Sequence, residues 1–335
     1  MRNIIVKISS IIIILCATFF IISNRERVTG EEQLPTIKIG VIAPFTGFLA
    51  SVGEDVRMGI LDTNHNGIEY IFEDDACDNT KAISAFKKLV EADHVNIIIG
   101  PGCGGPQEVI TPLLKNKNVI ALVPSAATEE LYTRSGNNFY NMQYALEDES
   151  EFIAKRMYEL GYKRVAIIHY ANAFSDVHTK AFKKHFKGEI VVDSFIIKDD
   201  ADISVELLKI KKANVDAVFS TDITFFFAQG MNKMKSFGMT TPIFSHYVTE
   251  IPAVRSMVEG VVYSFPQDIT DKRGAVYGLS KQSAEFLVPL VKECSGDYTC
   301  IKKKIDASQE FTDTGTKKRE LILKTITNGE PVVIR

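Results

Sequence analysis

The sequence has no paired CxxC, no basic stripe and no histidine pair at metal-ligand spacing, and each absence removes a class of function. Five cysteines are present, Cys16, Cys77, Cys103, Cys294 and Cys300, and their spacings do not match a structural zinc site. The six histidines (65, 94, 169, 178, 185 and 246) are scattered, although His169 and His246 end strand-like runs. No metal and no cofactor is expected. Lysine and arginine number 39 against 42 aspartates and glutamates, a net charge of −3. Setting aside residues 1–28 leaves 35 basic against 41 acidic residues, a net −6 that repels a polyanion, so nucleic acid is not an expected partner. The composition also lacks the biases of disordered, collagen-like or multi-span membrane chains.

What is present begins with the N-terminus. Arg2 and Lys7 precede Ile8–Ser23, a 16-residue stretch without a charge. Basic residues followed by a short apolar run are the layout of a secretory signal. A small-x-small cleavage site is hard to find before Arg25, and the run approaches bilayer-spanning length, so a retained N-terminal anchor is the alternative. Residues 1–28 are therefore expected to be signal or anchor, with the remainder exported to the periplasm or the outer face of the cell membrane. Four cysteines beyond Cys16, in an exported chain, suggest two disulfides, for which the sequence alone allows three pairings.

From residue 36 short β-branched runs alternate with amphipathic segments. IKIGVIAP, IEYIF, VNIIIG and VIALVP read as strands, with helical spacing between them; one helix places Ala82, Phe86, Leu89 and Val90 on one face. The rhythm restarts at 147–160, with RVAIIH, EIVVDSFII, VDAVFS and PIFSH as further strands. Continuous apolar strands separated by helices imply parallel sheets covered on both faces. The chain, at 335 residues, is long enough for two lobes of about 100–150 residues each. The expected fold is α/β, two open parallel-sheet lobes joined by a multi-strand hinge. The tail adds a helix around 275–293 and a hairpin turning at Asn328-Gly329. Ligands bind beyond the carboxyl ends of strands in such sheets, so two facing lobes would share a cleft there.

Several patterns carry a bland reading. Gly100-Pro101-Gly102-Cys103-Gly104-Gly105 lies between a strand and a helix and could hold an anion on backbone N–H groups, but two prolines interrupt any dinucleotide fingerprint. Ser84 to Lys87 fits S-x-x-K without companion motifs. Asp222 follows VDAVFST as a helix cap or a ligand contact. The lysine-rich runs at 302–304 and 317–319 read as solvated faces.

The order and spacing of IKIGVIAPFTGFLASVGED, FEDDACDNTKAISAFKKLV, IIIGPGCGG, VIALVPSAATEEL, KRVAIIHY, VDAVFSTD and FTDTGTKKRELILKTITNGEPVV resemble the type 1 periplasmic binding proteins, specifically the leucine/isoleucine/valine-binding branch. The resemblance covers residues 37–266 and, more weakly, the tail. It implies a lobe of residues 36–145 plus about 268–311 and a second of 146–267 plus about 312–335. It implies a Cys77–Cys103 disulfide, and Cys294 is expected to pair with Cys300. It also implies capture of a small organic solute, an amino acid or related compound, by a monomer working with a transporter permease; a ligand-sensing receptor module is the alternative. No enzyme activity is expected.

In the amino-acid binders of this family, hydroxyls and backbone N–H groups hold the carboxylate and an acidic residue holds the ammonium. Here the serine position falls at Gly104, the threonine position at Ala127, an aromatic lid position at Phe174 and the ammonium-binding carboxylate at Tyr247. The expected site is Gly104, Gly105, Ser125, Ala126, Ala127 and Thr128 from the first lobe, with Phe174, Asp222 and Tyr247 from the second. Asp222 is the candidate to supply the missing carboxylate.

Overall fold

The β-branched runs become two sheets in the computed structural model, which describes residues 36–64, 66–197, 202–221 and 225–334. The N-terminal apolar stretch and Asp222 lie outside those residues. The first sheet contains β1 (Ile37–Ala43), β2 (Ile68–Asp74), β3 (Ile97–Ile99), β4 (Ile120–Val123) and β5 (Phe139–Asn141), all parallel in the order β2-β1-β3-β4-β5. Every residue of β3 and β4 is buried, which is why these strands carry no polar alternation. Helices α1 (Ala50–Leu61), α2 (Asn79–Lys87, continued by a π turn over Lys88–Ala92), α3 (Gly104–Leu114) and α4 (Glu130–Arg134) fill the intervals. Phe86, Leu89, Ile110 and Leu114 cover one face of the sheet, and Val56 and Ile60 of α1 cover the other.

The second sheet contains β6 (Arg164–Tyr170), β7 (Glu189–Ile196), β8 (Ala217–Ser220), β9 (Ile243–Ser245), β10 (Val262–Pro266), β11 (Leu321–Thr327) and β12 (Glu330–Val333), in the order β12-β11-β10-β9-β8-β6-β7. The last two strands run antiparallel, and their turn places Asn328 (φ 53°) and Gly329 (φ 74°) in the left-handed region that an Asn-Gly hairpin uses. Helices α5 (Leu146–Glu159) and α6 (Ala173–His185) pack on one face of this sheet. Helices α7 (Ser204–Ala213) and α8 (Phe225–Ser236) pack on the other. The short α9 (Pro252–Arg255) precedes β10. Helices α10 (Ala275–Glu293) and α11 (Tyr298–Ala307) return to the first sheet, where Leu287, Val291, Ile301 and Ile305 join its core. No helix among the described residues is long and apolar enough to cross a membrane.

The chain passes between the sheets after β5, after β10 and before β11, and the three crossings are tied together. Asn141 N–H donates to Gly315 O and Lys317 N–H donates to Asn141 O, both at 2.8 Å. Arg319 Nε donates to Met142 O at 2.8 Å, its Nη2 donates to Gln282 Oε1 at 2.7 Å, and its Nη1 pairs with Asp268. The solvated-face reading of 317–319 therefore fails at Arg319, whose guanidinium is withdrawn from water to join the crossings. It fails in part at Lys302, which α11 turns toward Asp306 and the ring of Tyr140. That helix was not foreseen, although Asp297 caps it by accepting from Cys300 N–H at 2.8 Å. Cys77 is bonded to Cys103, and Cys294 to Cys300.

Candidate functional site

On the first lobe the site is made of main chain and small residues. The loop from β3 into α3 starts at Gly100, where φ is +104° and a Cβ would come within 2.1 Å of Ile42 O. The Cys77–Cys103 bridge holds its far end against the loop after β2, and Cys103 is the N-cap residue of α3. Gln107, fully buried in the first turn of α3, donates to Pro101 O at 3.2 Å and to Ser125 Oγ at 2.8 Å, joining this loop to the one after β4. Gly104 faces open space, whereas a Cβ at Gly105 would meet Asn79 Oδ1 at 2.6 Å. Beyond Ser125 lie Ala126 and Ala127, both buried, and the partly exposed Thr128. Ala127 forms a parallel bridge with Ala145, and its carbonyl accepts from Leu146 N–H at 3.2 Å, so its backbone serves the crossing.

The second lobe presents buried side chains that titrate. Helix α5 buries Leu146, Glu149, Ser150, Ile153, Ala154 and Met157, so one carboxylate sits in an otherwise apolar or small stripe. Glu149 Oε1 accepts from Tyr144 Oη at 2.6 Å, from Tyr247 N–H at 3.0 Å and from Ser264 Oγ. Its Oε2 has no hydrogen-bond partner. Helix α6 contributes Phe174 and His178, one turn apart, with ring centroids 4.5 Å from each other. His246, just past β9, stacks on His178 at 5.0 Å with 14° between planes, and Phe174 meets it edge-on at 4.9 Å. His178 Nδ1 bonds Ser150 Oγ at 2.6 Å, and His246 Nε2 bonds Thr221 O at 3.1 Å.

Burial sets the charges. It lifts Glu149 to about 7, against the pull of its three donors, and holds His246 down at about 4. His178 is driven well below the ordinary imidazole range by burial and by the neighbouring His246. Both rings are therefore neutral near pH 7, and the 3.8 Å approach of His178 Nε2 to Glu149 Oε2 is not an ion pair. Tyr247 spans to the first lobe, its phenol oxygen accepting from Ala126 N–H at 3.4 Å, while α3 and α6 approach each other alongside. A small cavity of about 10 Å³ reaches Tyr247 between Asp55, Glu250, Arg273 and Gly274. Asp55 is raised to about 6 by burial, with Arg273 opposing the shift.

Of the residues singled out from sequence, the structure brings Tyr247 against Ala126, places Ser125 beside that contact in the chain, and sets Phe174 in the second-lobe cluster with His246. Gly104 and Gly105 are exposed at the start of α3. Asp222 lies outside the described residues. Sequence reasoning missed Glu149, Tyr144, His178 and Ser264. Glu149 and His178 each fall on the buried stripe of their own helix, and that periodicity was the available signal. Among the described residues, no three His, Cys, Asp or Glu side chains are arranged to hold a metal ion.

The profile of the periplasmic binding proteins matches residues 36–266, and the chain belongs to that family. A leucine-, isoleucine-, valine-, threonine- and alanine-binding protein of Pseudomonas aeruginosa is 27% identical over 203 residues, 55% of this chain and 53% of the relative. An amino acid binding protein of the same species is 23% identical over 262 residues, 71% of this chain and 69% of the relative. The chain thus spans about half the length of the first of these curated relatives. Among solved structures, a leucine binding protein from Thermotoga maritima superposes with a TM-score of 0.80 at 19% identity, covering 89% of this chain and 98% of that one. A solute binding protein from R. palustris in complex with benzoate gives 0.77 at 17% identity, covering 89% and 95%. These likenesses establish the two-lobed fold.

Proposed function

We propose that this protein is an extracytoplasmic solute receptor that closes its two lobes over one small organic solute and presents it to a membrane transporter. The observation that carries the reading is the meeting of Tyr247 with Ala126 N–H above a buried polar cluster, where strands of both sheets end. Family membership supports the class, and the relatives' names support a solute of amino-acid size. The first lobe comprises residues 36–145 and about 268–311, the second 146–267 and about 312–335. Gly104, Gly105, Ser125, Ala126, Ala127 and Thr128 line one wall, Phe174, Asp222 and Tyr247 the other. The protein acts as a monomer, without chemistry on its solute.

Thermal-shift screening of amino acids, small carboxylates and aromatic acids tests this reading. A solute that binds only the folded state, at about a thousand times its dissociation constant, stabilises by roughly 4 kcal/mol. Small-angle scattering should then show compaction. A panel that leaves the melting curve unmoved would overturn the receptor assignment.

A further inference from the structure

The second lobe has an end that solute capture does not use. In a parallel α/β sheet each helix runs back against its strands, so a helix's last turn and the next strand's start share the end opposite the ligand loops. The ends of α5, α6, α7 and α8 and the starts of β6, β7, β8 and β9 meet there. Glu189 N–H donates to Lys163 O and Asp216 N–H to Arg164 O, both at 2.7 Å. Lys211 Nζ donates to Phe237 O at 2.6 Å, tying α7 to the turn after α8.

That end is basic. Segments 155–164, 183–190, 209–217 and 233–242 carry twelve lysines and arginines against three acidic residues. The corresponding segments of the first lobe, 58–68, 85–97, 112–120 and 132–139, carry five against three. None of the four basic segments is a stripe by itself; the fold gathers them. Their acids are already engaged: Glu159 pairs with Arg156 at 2.6 Å, Glu189 pairs with Arg164, and Asp216 accepts from Lys163 and Arg164 N–H, both at 2.8 Å. Lys187, Lys212 and Lys235 are exposed and make no hydrogen bond or ion pair among the described residues. A helix dipole accounts for a cation in each last turn but not for Lys163, Arg164 and Lys187, which lie outside helices. Beyond residue 28 the chain sums to −6, so this concentration of positive charge is a polarity of the lobe and not a product of composition.

The cations come from the ends of four helices and therefore cover an end face. No phenylalanine or tyrosine of the four segments is exposed, so the face has no ring on which a nucleic-acid base would stack. Leu160, 46% exposed, projects among the cations. A broad cationic face with a projecting leucine matches the headgroup layer of an anionic bilayer, where each lysine or arginine near the surface adds attraction. We propose that the base of the second lobe, formed by the ends of α5 to α8, docks on anionic phospholipid and leaves the loops at the other end of the sheet free for the solute.

Co-sedimentation of the full chain with phosphatidylcholine vesicles, with and without phosphatidylglycerol, tests this face. The ratio of the two partition coefficients cancels any apolar insertion common to both vesicles. Wild type should prefer the anionic vesicles by about thirtyfold at low salt and lose the preference near about 0.5 M salt. The triple variant Lys187→Gln, Lys212→Gln, Lys235→Gln should cut the ratio about tenfold. Lys115→Gln, Lys117→Gln, Lys303→Gln removes the same charge from the first lobe and should leave the ratio near that of wild type. Hydrogen exchange needs no variant: on anionic vesicles it should slow in wild type at 160–164, 186–190 and 214–217. No preference for anionic vesicles overturns the docking face. So does an equal loss in the two triple variants, or exchange slowed in the first lobe alone. A single-stranded oligonucleotide bound as tightly as the anionic vesicles would assign the face to nucleic acid instead. Thermal shift reads solute binding separately, so the receptor reading stands or falls apart from these outcomes.

Discussion

In the proposed cleft the first lobe presents glycines, main chain and a disulfide, whereas the second presents a buried carboxylate, two imidazoles and the phenol of Tyr247. Their rigidity has different origins. In the first lobe, Gly100, the Cys77–Cys103 bond and Gln107 hold the loops after β2, β3 and β4 together, and the one buried carboxylate among the described residues there, Asp75, accepts from Cys77 N–H beside the bridge. In the second, Glu149 gathers Tyr144, Tyr247 and Ser264 around one oxygen, so the wall depends on a charge state. A wall of backbone offers shape and N–H donors to any anionic solute. A wall of titrating side chains discriminates, because leaving one of its atoms unpaired is expensive. Selectivity should therefore reside in the second lobe and geometric constancy in the first.

The comparison is broken most severely by removing the covalent tie. The Cys77–Cys103 bond spans 26 residues, and in the chain-entropy model such a loop contributes roughly 3 kcal/mol. The Cys77→Ser, Cys103→Ser double variant should lose about that much, read by urea denaturation, with little change in pH dependence. The Cys294–Cys300 bond spans only 6 residues, and its removal should cost less. Equal losses from the two double variants would argue against the first bond as the frame of the cleft.

The second lobe should instead be broken by pH. Glu149 is raised from 4.5 to about 7 in the folded state, so the native protein keeps a proton that the unfolded chain releases. Its contribution to stability is full below about pH 4.5 and is lost as pH rises toward 7. Glutamine carries no such proton. The stability of Glu149→Gln relative to wild type should therefore climb between pH 4.5 and 7, by on the order of 3 kcal/mol at most, and then level off. The depressed His178 and His246 act in the opposite sense, stabilising above about pH 6.5 and losing that effect as pH falls. They are present in both proteins and drop out of the difference. Urea melts at several pH values give the curve, and a pH-independent difference would remove Glu149 as a titrating centre.

A smaller effect tests what joins the walls. Arg319 binds Met142 O and Asp268 on the two neighbouring crossings and Gln282 on α10. Arg319→Met keeps much of the side chain's bulk and should cost about 1–3 kcal/mol through the unpaired carbonyl. Small-angle scattering should show a more variable lobe separation in the variant. A variant as stable and as compact as wild type would mean that the backbone bonds at Asn141 hold the crossings alone.

The fold was legible because its signals are redundant. β1, β3, β4, β6 and β8 are apolar runs with no polar alternation, and helical spacing between such runs leaves a parallel α/β arrangement as the consistent solution. The hairpin was legible from Asn328-Gly329. The loops proposed as the first wall carry a sequence mark of their own, glycines and small residues after strands. The second wall was hidden by charge. Glu149 lies among Glu147, Asp148 and Glu151 at a helix start, where acidic residues are expected for the dipole alone. Its burial shows only when Leu146, Ser150, Ile153 and Met157 are counted with it as one stripe. His178 is masked in the same way, and Arg319 looked like part of a solvated lysine run until the crossings closed around it.

The mildest perturbation sharpens the comparison from the first-lobe side. Gly104 opens α3 with its Cβ direction empty, while the adjacent Gly105 is pressed against Asn79. Gly104 has no positive φ to protect, and serine is the better helix former by a few tenths of a kcal/mol. Gly104→Ser should therefore leave stability within about 0.5 kcal/mol, and Gly105→Ala, which needs only the Asn79 amide to turn away from a 2.6 Å approach, should change it little more. The serine hydroxyl would add one donor to a wall that otherwise offers backbone N–H groups. A hydroxyl hydrogen bond to a carboxylate is worth about 1.5 kcal/mol or more, so the affinity for an amino acid should rise about tenfold. The ratio between the amino acid and its deaminated analogue should stay as in wild type, because both carry the carboxylate that the new hydroxyl meets. Titration of Gly104→Ser with that pair checks both statements. A changed ratio would place the ammonium, not the carboxylate, against α3 and reverse the roles of the two walls.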